Sequence, residues 1–434
     1  MQQLASPGEN QRGFLLQLFH TAVQSVQAAT LLPAFLSEVR PGPRSGKLAV
    51  IALGKAAADM AKVACDHFGD QLFGMVVAPL GYEAPNAHLP AALSYFVAGH
   101  PTPTQASLRA GEMALRICHG LQDHDHLLAL ISGGGSALMA APVEGLSLAD
   151  KQAVNKALLR SGAAISEMNC VRKHLSRVKG GRLAIAARPA KVTTFVLSDV
   201  PGDDPALVAS GPTVEDASGL HRARAIIAKY RLRLEAHVAA ALTDPANETP
   251  RWTDRDRQRC RLKIIATART ALDAAGAQAR SAGLEVIDLG DQIEGEARSL
   301  GAEHAALARA MPPSRAHLIL SGGETTVTVT NPAGKGGRNL EYLLALALAL
   351  DGAPDIWALA CDTDGIDGTD DAAGAYVTPD TLKRAAQLGL DPKAMLNQND
   401  AYRFFAALGD LVISGPTRTN VNDFRAILIA PGTP

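Results

Sequence analysis

Ile131-Ser132-Gly133-Gly134-Gly135-Ser136 ends an apolar run in a turn of small residues, and the design recurs at Leu320-Ser321-Gly322-Gly323-Glu324-Thr325. A third run, Ala49-Val50-Ile51-Ala52-Leu53, ends in Gly54-Lys55-Ala56. A strand that stops at glycine and gives way to a helix presents backbone N–H groups to an anion. Glycine tolerates the positive φ such turns need and lets a ligand come close. The three runs predict strand–turn–helix units, an α/β fold, and phosphate chemistry with turns in both halves of the chain.

Around these turns apolar runs alternate with amphipathic ones. Phe14, Leu15, Leu18, Phe19, Ala22, Val23 and Val26 fall at helical spacing. A basic, turn-rich stretch at 40–46 then leads to a strand at 48–53, with further strands at 75–79, 94–98, 127–131 and 192–197 and a helix over 147–165. Such alternation implies parallel βα units. The pattern lapses at Thr243-Asp244-Pro245-Ala246-Asn247-Glu248-Thr249-Pro250, which reads as a linker. It resumes with strands at 262–266, 284–289, 316–320, 325–330, 356–360, 411–414 and 426–430, and helices at 272–282, 295–310 and 339–350. The expected domains are 1–245 and a smaller one at 260–434, each a mostly parallel sheet flanked by helices. Ser-Gly-Pro-Thr occurs at 210–213 and again at 414–417. That echo fits a distant duplication and shared loop chemistry equally well.

At 434 residues the chain is too long for one ordinary core. Aromatic residues make up only 4% of it, which favours close helix-on-sheet packing over an all-β sandwich. A net charge of −1 with no long basic run argues against nucleic-acid binding. The five cysteines are scattered, with no C-x-x-C pair, and read as reduced thiols of a cytoplasmic protein. There is no signal-peptide pattern at the N-terminus and no apolar run long enough to span a bilayer.

Several constellations carry chemistry. Lys55 stands at a strand end before a helix start, where an ammonium meets phosphate oxygens; no Walker spacing surrounds it. Ser132 to Ser136 fit neither G-x-G-x-x-G nor G-x-S-x-G, yet hold more glycine than a tight turn needs. Asp199, Asp203 and Asp204 follow one strand; Asp362, Asp364, Asp367, Asp370 and Asp371 follow another. Strand-end carboxylates suit Mg²⁺, which takes hard oxygen ligands. Arg338 opens a leucine-rich helix, an awkward place for a cation unless an anion joins it. The basic run Val171-Arg172-Lys173-His174-Leu175-Ser176-Arg177-Val178-Lys179, read as helix, puts Arg172, Ser176 and Lys179 on one face. It is either a solvated face or an anion site. His100 is a substrate contact or a turn residue.

In order along the chain, Gly54-Lys55-Ala56, Ser132-Gly133-Gly134-Gly135-Ser136, Val171-Arg172-Lys173-His174-Leu175-Ser176, Ser198-Asp199-Val200-Pro201-Gly202-Asp203, Ser210-Gly211-Pro212-Thr213, Ser321-Gly322-Gly323-Glu324, Gly336-Gly337-Arg338-Asn339 and Asp362-Thr363-Asp364-Gly365 together resemble the class II glycerate kinases, which carry a leucine-rich MOFRL C-terminal domain. The resemblance spans almost the whole chain. It implies a Rossmann-like N-terminal domain, a smaller α/β C-terminal domain with an active site between the two, and ATP- and Mg²⁺-dependent phosphorylation of D-glycerate at its C2 hydroxyl. A homodimer is compatible with it. In that reading Lys55 meets the transferring phosphoryl group, and Asp199 or Asp362 holds Mg²⁺. Arg338 pins the substrate carboxylate or the equatorial oxygens, and Asp203 or Asp364 orients the hydroxyl. Gly54, Ser132, Gly133, Gly134, Gly135, Ser136, Arg172, Ser321, Gly322, Gly323, Glu324 and Asn339 line the phosphate and substrate sites. The alternatives are an NAD(P)H-dependent hydroxypyruvate reductase, which the missing G-x-G-x-x-G turn disfavours, and a non-catalytic nucleotide- or phosphosugar-binding protein.

Overall fold

The computed structural model describes residues 10–39, 46–83, 90–312, 315–368 and 370–430; of the basic stretch at 40–46, only Gly46 falls among them. By contacts the chain divides into two units: Ala28–Ile265, and Met1–Gln27 together with Ala266–Pro434. This division does not coincide with the boundary read from the polar stretch near 245–260. Among the described residues no helix is long and apolar enough to cross a membrane, and all five cysteines are free thiols.

The continuous unit is built on six strands: β1 Leu48–Leu53, β2 Leu72–Pro79, β3 Leu93–Ala98, β4 His126–Ile131, β5 Lys191–Leu197 and β6 Cys260–Ala266. They lie in the order β3-β2-β1-β4-β5-β6. The pairs β1–β2, β1–β4, β2–β3 and β4–β5 are parallel. Every residue of β1 and β4 is buried, as unbroken apolar runs in a doubly covered parallel sheet must be. Ile51, Leu53, Val77, Leu127, Ile131, Val192 and Val196 share one core with Ala110 and Ala114 of helix Gln105–His119. A second core joins four helices, Leu148–Arg160, Ile165–His174, Leu220–Lys229 and Ala236–Ala241, through Val154, Leu158, Val171, Leu175, Ala223, Ile226 and Val238. The single helix anticipated over 147–165 ends at Arg160, and a second begins at Ile165.

The other unit holds β7 Glu285–Asp288, β8 Ile293–Glu296, β9 His317–Thr326, β10 Ile356–Asp362, β11 Gly374–Val377, β12 Leu411–Val412 and β13 Asp423–Ile429. Its sheet is mixed, in the order β12-β11-β10-β13-β9-β7 with β8 also on β9. β13 pairs antiparallel with both β9 and β10, whereas β7 and β8 pair parallel with β9. This topology differs from that of the first sheet, so the repeated Ser-Gly-Pro-Thr does not reflect two copies of one sheet. Helix Arg338–Leu350 packs on helix Ala297–Arg309 and against β10 and β11, and is buried almost all round. Helix Gln11–Ser25 packs on helix Ala268–Ser281, and the Phe19 ring lies 5.9 Å from Phe424 on β13.

The turn anticipated at 320–325 is absent, as is the separate strand at 325–330. β9 runs through Ser321, Gly322, Gly323 and Glu324. β13 pairs along one side of it and β8 along the other. A Cβ on Gly323 would meet the Ile293 carbonyl oxygen at 2.2 Å, so glycine here admits a neighbouring strand rather than a phosphate.

Candidate active site

In the first sheet, strands are added in one direction from β1 to β3 and in the other from β4 to β6. The reversal lies between β1 and β4, and ligands of open α/β sheets bind at the carboxyl ends of strands at such a switch point. Gly54-Lys55 follows β1 there and Ser132–Ser136 follow β4. The two turns are laced together. Ser132 N donates to Leu53 O at 2.8 Å, Lys55 N to Gly133 O at 3.0 Å and Ala56 N to the Ser132 Oγ at 3.0 Å. Gly54 takes φ +120, and a Cβ on it would sit 2.3 Å from that Oγ.

This lacing changes the expected phosphate cradle. The N–H groups of Gly54, Lys55, Ala56 and Ala57 all donate to protein acceptors. Among the described residues, the N–H groups of Gly133 and Gly134 have no such acceptor. At Gly134 (φ +80) a Cβ would lie 3.3 Å from His100 Cδ2 and 3.6 Å from Lys55 Cγ. The missing side chain therefore leaves a gap walled by His100 and the Lys55 stem. The Lys55 ammonium sits 5.7 Å from the Tyr82 ring centroid.

Behind the glycines, Lys179 Nζ donates to Ser136 O (2.7 Å) and Oγ (3.1 Å). Ser136 Oγ bonds Ser210 Oγ at 2.9 Å, and Ser210 Oγ donates to Asn169 Oδ1 at 3.1 Å. Ala209 and Ser210 both have positive φ without being glycine, an arrangement that costs free energy and persists only where the surroundings impose it. The basic run is not a solvated face: Lys173, His174 and Lys179 are buried. Nor does it form one helical face, because the helix stops at His174 and Ser176 bridges to Pro142. Lys173 Nζ pairs with Asp216 at 3.1 Å, and Arg172 Nε donates to Asn155 at 3.0 Å. Asp199 and Asp203 follow β5, both half-buried, with Asp203 at positive φ and its N–H on Val200 O.

In the other unit, the protein itself supplies the anions that the position of Arg338 demands. Its Nε meets Asp423 Oδ1, its Nη1 Glu324 Oε1 and its Nη2 Asp362 Oδ2, each at 2.7 Å. Burial works against the guanidinium charge, but Asp423, Asp362 and Glu324 more than offset it and hold its pKa well above the ordinary value. Burial would likewise raise the Asp423 carboxyl; Arg338 and Arg425 overcome it and keep it low. Asn339 Nδ2 donates to Asp423 Oδ1 at 2.8 Å. Asp367 accepts from the N–H groups of Asn339 and Leu340, capping the helix, while burial pushes its pKa up to about 6. Asp364 N donates to Asp362 Oδ1 at 3.1 Å, and Asp364 Oδ1 accepts from Ile366 N at 2.8 Å. Ser321, Gly322 and Gly323 lie in β9, and Arg425 Nη1 donates to Gly322 O at 3.3 Å. Arg338, Asn339, Glu324 and Asp362 are thus one cluster.

Among the described residues no three His, Cys, Asp or Glu side chains are grouped as a metal cage.

Two family models match: "Domain of unknown function (DUF4147)" over residues 14–243 and "MOFRL family" over 317–423. The chain is 36% identical to the "D-glycerate 2-kinase" of Thermotoga maritima, over 91% of this chain and 93% of that protein. The crystal structure of glycerate kinase from the same organism superimposes with a TM-score of 0.83 at 34% identity, covering 96% of this chain and 98% of that one. The chain belongs to the class II glycerate kinase family. An Agrobacterium vitis protein named "Putative hydroxypyruvate reductase" is 47% identical over 96% of this chain and 94% of its own length.

Within this glycerate kinase family member, two groups of residues bonded to the candidate site are not apparent from the sequence. Asp423 opens β13, but that strand was read only from 426, and an aspartate at a strand start looks like a turn residue. Ser210 is joined to Ser136 across 74 positions, and Asn169 to Ser210 across 41. The repeated Ser-Gly-Pro-Thr was the one signal pointing at Ser210.

Proposed function

We propose that the chain is an ATP-dependent D-glycerate 2-kinase. The observation that carries the reading is the open pair of N–H groups at Gly133 and Gly134 beside Lys55, at a sheet switch point, in a chain aligned along nearly its whole length with a D-glycerate 2-kinase. The bond from the γ-phosphorus of ATP to the ADP oxygen breaks, and a bond from that phosphorus to the glycerate C2 oxygen forms. Catalysis of such a loose transfer is mostly positioning and charge neutralisation. Lys55 and the two glycine N–H groups neutralise the phosphoryl oxygens. Arg338, whose orientation is fixed by three carboxylates, binds the glycerate carboxylate. Asp203 or Asp364 takes the C2 hydroxyl proton. Asp199 or Asp362 would hold Mg²⁺, which would supply charge neutralisation on the nucleotide phosphates.

The test is to incubate the chain with ATP, Mg²⁺ and D-glycerate and assign the phosphoglycerate isomer by NMR. Formation of 2-phosphoglycerate supports the reading, and its absence overturns it. A reductase reading has two points in its favour: the dinucleotide-type strand order and the name of the Agrobacterium relative. Against it, β1 is followed by Gly54-Lys55-Ala56-Ala57-Ala58-Asp59, without the second and third glycines that bring a pyrophosphate onto the backbone. NADH consumption with hydroxypyruvate, in the absence of ATP, would favour the reductase.

A further inference from the structure

Lys151 stands on the apolar face of helix Leu148–Arg160, between Leu148 and Val154, where packing calls for a hydrophobic residue. It is 4% exposed, and its ammonium has no hydrogen-bond partner. Burying an unpaired ammonium is strongly unfavourable, so the position needs a compensating charge. The surroundings supply more cations instead. Arg172 spends its Nε on the neutral Asn155, and Lys179 sits on Ser136. The nearby carboxylates already have partners: Asp216 holds Lys173, Asp150 pairs with His237, Glu167 with Lys229, and Glu248 with His174. Burial and then the charge of Arg172 depress Lys151 to about 8. Burial, followed by Lys151, Arg172 and Lys173, drives Lys179 well below its ordinary value.

We propose that Lys151, Arg172 and Lys179 form a binding site for a phosphate group. Three basic side chains without a carboxylate partner match a phosphate, which offers three oxygens and two negative charges, better than a carboxylate, which offers two oxygens and one. The phosphate comes from the nucleotide or from the phosphorylated acid. The site lies wholly within the continuous unit and does not depend on which acceptor is phosphorylated.

The test uses the full chain and Lys151→Met. Without anion, the variant should melt at the same or a higher temperature than wild type, because an uncompensated charge has been removed. Its affinity for inorganic phosphate by calorimetry should fall at least tenfold. A lower melting temperature together with an unchanged phosphate affinity overturns the site. Repeating the titration with ADP and with 2-phosphoglycerate identifies the source by the larger loss. A loss confined to D-glycerate overturns the proposal. Should the variant fail to fold, amide hydrogen exchange of wild-type helix Leu148–Arg160, read by peptide mass spectrometry, replaces it. Phosphate must then slow exchange there relative to chloride at equal ionic strength, and unchanged exchange overturns the site. A chain that phosphorylates glycerate yet binds phosphate independently of Lys151 sinks this site alone. A chain inactive on glycerate whose phosphate binding depends on Lys151 sinks only the kinase reading.

Discussion

Replacing Arg338 by glutamine removes one guanidinium from three carboxylates, and their environments set the cost separately. The Glu324 side chain is 44% exposed, so water replaces its partner and the loss there is about 0–1 kcal/mol. Asp423 is fully buried but keeps Arg425 and the Asn339 amide. Asp362, 7% exposed, loses this guanidinium and keeps the Asp364 N–H. Breaking a buried pair from one side costs about 3–5 kcal/mol, and we expect Arg338→Gln to fall in that range. The sign of the pH dependence follows. In the wild type Asp423 is held below the usual carboxylate range, so its contribution is present above about pH 4 and is lost only as pH falls through the lowered value. In the variant the burial of Asp423 is opposed by Arg425 but no longer by Arg338, and its carboxyl rises. Once it passes the unfolded value the native state binds the extra proton, and stability falls with increasing pH by up to about 1.4 kcal/mol per unit. Arg338→Gln should therefore be more stable at pH 5 than at pH 8. The assay is urea unfolding followed by the fluorescence of Trp357 on β10, made the single reporter by Trp252→Phe in both backgrounds. A loss under about 1 kcal/mol, or equal losses at both pH values, would refute the reasoning.

Lys55→Met should lower kcat/KM for glycerate phosphorylation by roughly a hundred- to a thousandfold with an unaltered far-ultraviolet circular dichroism spectrum; near-normal turnover removes Lys55 from the chemistry. Gly54→Ala places a methyl 2.3 Å from Ser132 Oγ at φ +120 and should cost at least about 2 kcal/mol, measured by urea midpoint; a neutral result means the two turns are not rigidly laced. Burial depresses the imidazole of His304 to about 4, so the native state keeps it neutral while the unfolded chain takes up a proton below about pH 6.5. Stability should decline from pH 6.5 to pH 4 by up to about 3 kcal/mol from this group, and His304→Gln should flatten that slope; an unaltered slope assigns the acid sensitivity elsewhere.

The buried strands were readable because parallel sheets covered on both faces leave unbroken apolar runs, as in Ala49 to Leu53 and Leu127 to Ile131. Glycine was the ambiguous letter. At Gly54 and Gly134 it serves a turn, while at Gly323 it lets β8 lie against β9, and the local sequence around Ser321 is identical in kind to that around Ser132. β8, Ile293-Glu294-Gly295-Glu296, has no strand pattern at all and exists through its pairing with β9. Arg338 was legible as an electrostatic problem, but its answer, Asp423, lies 85 positions away. Lys151 drew no notice because one lysine among apolar residues at helical spacing looks like a surface position. Only the fold shows that its side of the helix faces inward.

The first described helix and the last strand belong to the same unit, and this sets a timetable for synthesis. Thr419 Oγ1 donates to the Val26 carbonyl at 2.9 Å across 393 positions. At ribosomal rates of 5–20 residues per second, that is a delay of roughly 20–80 s. Throughout it, Phe14, Leu15, Leu18 and Phe19 have emerged but the β13 surface they cover has not been made. The six-stranded unit is contiguous in the chain and can close while still tethered to the ribosome. The nascent N-terminal helix is therefore the segment most in need of a chaperone. A circular permutant that begins at Ala266 and joins Pro434 to Met1 would remove the wait.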